Sequence, residues 1–165
     1  MADPSLDFTH RLWILVGLPG SGKSTWARAL LESAVPDVSQ WQIVSTDEIR
    51  AQRYGDAAIQ GNWVEVWGEV QRQFRDRFIA GDSVIYDATN TQRRSRRFVI
   101  QTARSMGFTR IGLCWLRVPV EVCLARNQQR SRRVPDEVIL RMARQLAGAP
   151  PSLAEDIDLL LSVRS

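Results

Sequence analysis

The densest chemistry in this chain lies in one unbroken stretch, Gly17-Leu18-Pro19-Gly20-Ser21-Gly22-Lys23-Ser24-Thr25. It matches G-x-x-x-x-G-K-[ST], the pattern of a loop that holds phosphate. Gly17, Gly20 and Gly22 let backbone N–H groups turn onto anion oxygens without a Cβ in the way, and Pro19 and Ser21 complete the loop. Lys23 supplies a point charge for β- and γ-phosphates, and the Ser24 hydroxyl, followed by Thr25, is placed to bind Mg²⁺. Lys23 is the only lysine beside 21 arginines, and a point charge is what this loop requires at that position.

Two further segments carry carboxylates in turn-like settings: Ser45-Thr46-Asp47-Glu48-Ile49-Arg50 and Asp87-Ala88-Thr89-Asn90. Beside a triphosphate, one carboxylate can orient or deprotonate the attacking group while the other holds Mg²⁺ through water. Asp87 ends an apolar run, the setting of a metal-side aspartate. Asp47 opens a helix and is the better candidate base. For either residue the plain alternative is a helix N-cap. Arg50 shares a helix face with Asp47 and reads either as a grip on an acceptor phosphate or as a surface ion pair. Thr89 and Asn90 are placed with Asp47, Arg50 and Asp87 on the acceptor side.

Arg126, Arg130, Arg132 and Arg133 cluster around a helix end and a short connector. They read as a lid that spreads charge off a γ-phosphate, or as a solvated basic face. Arg93-Arg94-Ser95-Arg96-Arg97 reads as a polyanion groove or as an exposed helix face. His10 is the single histidine, in a segment expected to be frayed, so histidine triads and paired-histidine metal sites are excluded. Cys114 and Cys123 sit in apolar surroundings and are expected in the core.

These residues need a scaffold. Leu12-Trp13-Ile14-Leu15-Val16 reads as a buried parallel strand, and Trp26 to Leu31 as the helix after the loop. Pro36-Asp37 marks a turn, and Trp41–Ser45 reads as a second strand followed by a short helix from Glu48. Trp63, Val66, Trp67, Val70, Phe74 and Phe78 recur at helical spacing up to Gly81, with the tryptophans assigned to the core rather than to a stacking platform. Ser83–Asp87 is a third strand, with a helix from Gln92 to Ser105 closed by Gly107. Arg110–Arg117 is a fourth strand. Pro119 and Pro135 open two more helices, the second ending near Gly148, and Ile157–Val163 is a last strand. Alternation of strand and helix predicts an α/β fold: a five-stranded parallel sheet in a three-layer sandwich, as one domain over 1–165 with a flexible tail over 1–10.

The bounds agree with this. The chain has 165 residues, 44% hydrophobic and 24% charged, which is ordinary for a globular domain. No apolar run approaches a membrane span, and no leader is recognised at the N-terminus. Two cysteines fit a reducing compartment, so a cytoplasmic location is expected. A formal charge of +4 favours an anionic partner.

Taken in order, the loop Gly17 to Thr25, Ser45-Thr46-Asp47 with Arg50, Asp87-Ala88-Thr89-Asn90, and Arg126-Asn127 with Arg130 and Arg133 resemble the polynucleotide 5′-kinase branch of the P-loop phosphotransferases. The resemblance spans nearly the whole chain. It implies ATP as donor, Mg²⁺ or a similar cation as cofactor, and a nucleic-acid 5′-hydroxyl as acceptor. By resemblance Lys23, Asp47 and Arg126 are catalytic, Asp47 being the general base, Arg50 contacts an acceptor phosphate, and Arg126 holds the donor phosphates from the lid with Arg130 and Arg133. Related small kinases acting on antibiotics, sugars or charged tRNA share much of the pattern. A small-molecule kinase and a non-catalytic nucleotide-binding module are the alternatives.

Overall fold

The computed structural model describes residues 10–33 and 40–164. Strands β1 (Arg11–Val16), β2 (Trp41–Ser45), β3 (Ser83–Asp87), β4 (Arg110–Arg117) and β5 (Leu159–Arg164) form one parallel sheet in the order β2-β3-β1-β4-β5. Helices α1 (Lys23–Glu32), α2 (Thr46–Tyr54), α3 (Trp63–Ala80), α4 (Arg93–Met106), α5 (Val120–Gln128) and α6 (Asp136–Gly148) connect them. Parallel neighbours need crossover connections, and the helices supply them.

Side-chain parity along the strands sorts the apolar residues into two layers. Leu12, Ile14 and Val16 of β1, Val84 and Tyr86 of β3, and Ile111 and Leu113 of β4 share a core with Val70 and Phe74 of α3, Ile100 of α4 and Ile139 of α6. The intervening residues Leu15, Ile85, Cys114 and Leu116 face the opposite layer, where Ala27 of α1 packs. Strands buried on both faces are therefore apolar throughout rather than alternating. Trp13 and Gly112 pair across β1 and β4, and a Cβ on Gly112 would come within 2.5 Å of the Trp13 ring.

Some boundaries differ from the sequence reading. Helix α2 starts at Thr46, capped by the Ser45 side chain, which accepts from the Glu48 N–H at 3.3 Å. Pro119 and Pro135 are themselves the N-caps, each one residue before its helix. β5 begins at Leu159, because Asp156 turns at φ 63° and Asp158 instead receives the Ile111 N–H at 2.8 Å. His10 is not frayed: its ring stacks on Phe78 with centroids 3.9 Å apart. The Pro36-Asp37 turn and the tail up to residue 9 lie outside the described residues. Among the described residues, no helix is long and apolar enough to cross a membrane.

Candidate active site

The strand order reverses its direction of growth at β1, whose neighbours are β3 and β4. A crevice opens at such a point beyond the carboxyl ends of the strands. The phosphate loop occupies it. Gly20 and Gly22 have φ of 82° and 90°, and a Cβ on Gly20 would meet the Cys123 carbonyl at 2.7 Å. Both positions therefore demand glycine. Gly17 does not line the cleft; it backs the loop, where a Cβ would press on Ser21 Oγ at 2.5 Å. Its N–H donates to the Thr89 carbonyl at 3.0 Å, tying the loop to the end of β3.

Lys23 opens α1, and its Nζ donates to the Leu18 carbonyl at 2.9 Å. Burial lowers its pKa, against the pull of Asp87 and Asp47 in the other direction. A phosphate placed there would restore the charge balance that burial disturbs. Ser24 Oγ donates to Asp87 Oδ2 at 2.6 Å. Mg²⁺ commonly takes one or two protein ligands and completes its shell with water and phosphate. A hydroxyl beside a carboxylate fits that requirement. No group of three or more carboxylate, histidine or cysteine side chains capable of holding a metal occurs among the described residues.

Neither aspartate is a helix N-cap. Ser45 caps α2 and Gln92 precedes α4. Asp47 instead projects from the first turn of α2 with half its side chain exposed. It lies between Arg50 at 3.4 Å and Arg132 at 3.1 Å. Arg50 thus makes the i,i+3 pair and also lines the cleft. Its Nε is buried without a hydrogen-bond partner among the described residues.

Beyond β3, Thr89 faces the cleft, while Asn90 is buried with φ 50°. The Asn90 amide donates to the Leu15 carbonyl at 2.8 Å and to the Ala88 carbonyl at 3.3 Å, so its hydrogen bonds join the ends of β1 and β3. The arginine run at the start of α4 divides. Arg93, Arg94 and Arg97 are exposed, but Arg96 is fully buried and matches neither sequence reading. It pairs with both carboxylate oxygens of Glu155 at 2.9 Å and donates to the carbonyls of Asn90, Thr91 and Ala149.

The connector between α5 and α6 hangs over the loop. Asn127 and Val134 exchange two hydrogen bonds, at 2.7 and 3.0 Å, which close the connector on itself. Arg126 reaches the Gly20 carbonyl at 3.4 Å. Arg130, Arg132 and Arg133 line the cleft with it. Sequence reasoning singled out the cluster but not Arg132 as the one that meets Asp47. That pairing joins α2 to the connector, and only the fold brings the two together.

The loop from Pro19 to Thr25, Asp47, Arg50, Asp87, Thr89 and Arg126, Arg130, Arg132 and Arg133 border one cleft of about 1590 Å³, which Trp63 and Phe98 also line. Trp63 is 49% exposed, contrary to its assignment to the core. Its place on the first turn of α3, just after the Gly61 loop, was the available signal.

Three comparisons bear on this arrangement. The AAA_33 family model, described as an AAA domain, matches residues 12–149. The chain is 30% identical over 136 residues to L-seryl-tRNA(Sec) kinase of Methanococcus maripaludis, covering 79% of this chain and 50% of that protein. Its fold superposes on a chain of the Pnkp1/Rnl/Hen1 RNA repair complex with a TM-score of 0.76 at 27% identity, covering 96% of this chain and 49% of the other. A gluconokinase from Sinorhizobium meliloti shares the fold, with a TM-score of 0.56 at 16% identity over 94% of this chain and 83% of its own. The chain spans about half the length of the curated relative and of the repair-complex chain. With a phosphate loop at the switch point of a five-stranded parallel sheet and a family match over most of its length, this chain belongs to the AAA_33 family of P-loop kinase domains.

Proposed function

We propose that this protein is an ATP-dependent kinase that transfers the γ-phosphoryl group to a 5′-hydroxyl of DNA or RNA, with Asp47 as general base. The observation that carries the reading is Asp47 and Arg50 bordering the same cleft as Lys23, from the strand two places away in the sheet. The cleft exceeds the ~300–1,000 Å³ of common small-ligand pockets, leaving room for an acceptor as well as a donor nucleotide. Likeness to a chain of an RNA repair complex supports a nucleic-acid acceptor.

In this reading the loop and Lys23 hold the donor phosphates, and Arg126 from the last turn of α5 covers them with Arg130 and Arg133 from the connector. Ser24 and Asp87 would hold Mg²⁺, which neutralises phosphate charge when bound. Arg132 shifts from Asp47 toward the incoming γ-phosphate, freeing the carboxylate to accept a hydrogen bond from the acceptor alcohol. The acceptor oxygen forms its bond to the γ-phosphorus as the bond from that phosphorus to the β,γ-bridging oxygen breaks. The alcohol proton passes to Asp47, and ADP leaves. Arg50 takes the phosphate next to the acceptor hydroxyl through its guanidinium.

The test is a screen of acceptors with γ-labelled ATP. Label is expected on 5′-OH oligonucleotides, and loss of label without loss of ATP binding is expected for Asp47→Ala. Absence of transfer to every DNA and RNA end rejects the reading. One alternative has a specific observation behind it: the 30% identity to a seryl-tRNA kinase favours the serine hydroxyl of a charged tRNA as acceptor. Label on seryl-tRNA and none on 5′-OH ends would select it.

A further inference from the structure

The far wall of the cleft is aromatic, and no step proposed above uses it. Trp63 and Phe98 both border the cleft, 49% and 48% exposed. Trp67, buried between them, stacks on Trp63 with centroids 6.0 Å apart and tilts against Phe98 at 5.2 Å. Its indole N–H has no hydrogen-bond partner among the described residues, so core packing sets its place. Trp67 thus backs the two exposed rings, Trp63 from α3 and Phe98 from α4. Ile59 and Val64 are also exposed, at 45% and 75%, so the segment before and into α3 presents apolar side chains to solvent, and Ala58, Gln60 and Trp63 of the same segment line the cleft. A helix start that serves only the core would turn such residues inward.

The segment that carries Trp63 is held in place. The Tyr54 hydroxyl donates to Glu65 Oε2 at 2.8 Å and accepts from the Asn62 N–H at 3.1 Å. Asn62 caps α3 by accepting from the Val64 N–H at 2.9 Å. Gly61, at φ 61°, lies so close to the Tyr54 ring that any Cβ would collide with it. Arg53 pairs with Glu65 at 3.1 Å, locking the end of α2 to the start of α3. A half-exposed indole on a backbone fixed this tightly is preorganised for a flat partner.

We infer that the Trp63–Phe98 wall stacks the terminal nucleobase of the acceptor strand and is the element that selects a polynucleotide over a small alcohol. The inference rests on the proposed 5′-kinase reading and deepens it. Arg50 borders the same cleft as Trp63 and Phe98, so phosphate and base of one terminal nucleotide have separate partners. Stacking on an aromatic side chain tolerates every base, because each has a π-face. The wall therefore confers end recognition without sequence preference.

The experiment compares 5′-OH oligonucleotides whose terminal nucleotide is either intact or abasic, as acceptors for wild type, Trp63→Ala and Trp63→Phe. Wild type is expected to lose about tenfold or more in kcat/KM on the abasic end, mostly through KM. Trp63→Ala should show a similar loss on the intact end and no further loss on the abasic one. Trp63→Phe should recover most of the preference, which a merely structural defect would not allow. KM for ATP should hold in all three, and Ile79→Ala, an exposed apolar change at the far end of α3, should match wild type. Equal use of intact and abasic ends by wild type, or an unchanged acceptor KM in Trp63→Ala, overturns the inference while leaving the 5′-kinase reading intact. Failure of wild type to label any oligonucleotide overturns both.

Discussion

Asp47, the proposed general base, is placed so that its loss should cost the chemistry and hardly touch the fold. Its side chain is half exposed, and its two arginine pairs lie at a cleft surface where such pairs contribute little. Asp47→Ala should therefore melt with wild type, whereas transfer should fall by about 10²–10⁴, the usual share of a general base. Differential scanning fluorimetry beside a transfer assay reads both. Lys23 is the opposite case. Burial depresses its pKa, so below that value the folded state holds the ammonium at a cost the unfolded chain does not bear. The sign follows: above the depressed value the unfolded chain binds more protons, and stability rises with pH toward lysine's ordinary 10.5. In the absence of nucleotide, wild type should gain on Lys23→Met as pH climbs through that window, while Lys23→Met loses ATP binding at every pH. Thermal melts across pH 7 to about 10 check this; a difference that shrinks or stays flat contradicts it. Both side chains were legible in the sequence because spacing from a glycine loop or a strand end identifies them. Arg96 was not. Four arginines stood within five positions, and only the depth of one helix face, where Glu155 from far along the chain meets Arg96, separates it from the others.

The elements were readable for a related reason. Strand β1 is apolar without a break from Leu12 to Val16, and the long helix α3 repeats apolar residues at helical spacing. What escaped was decided by tertiary contacts: Trp63 follows the same spacing as Trp67, yet it is 49% exposed and opens onto the cleft while Trp67 is buried. The buried Arg96–Glu155 pair ties α4 to the turn before β5, and it also holds the Asn90 and Thr91 carbonyls behind the site. Truncating one partner leaves the other charge buried, so Arg96→Met should cost about 3–5 kcal/mol. Replacing both, as Arg96→Met with Glu155→Leu, should restore part of that loss. Urea unfolding of the three proteins measures it, and a double variant no better than the single would contradict the assignment. Gly112→Val would force the Trp13 ring off β4 and should destabilise through overpacking by about 1–3 kcal/mol.

At the scale of the whole molecule, strand order places three turns from different parts of the chain at one crevice, and the connector supplies arginines from above. With a formal charge of +4 carried almost wholly by arginine, a polyanionic acceptor should bind with counterion release. The acceptor KM for an oligonucleotide should therefore rise steeply with salt, linearly on logarithmic axes, while a mononucleoside acceptor shows a much flatter line. The decisive measurement is single-turnover phosphoryl transfer by Asp47→Asn, with ATP affinity determined on the same preparation. Asparagine keeps the size of the side chain and removes its ability to take a proton. Unchanged ATP binding with transfer slowed by at least about 10² identifies Asp47 as the proton acceptor. Transfer at the wild-type rate, with ATP bound as tightly, would leave Asp47 no part in the reaction.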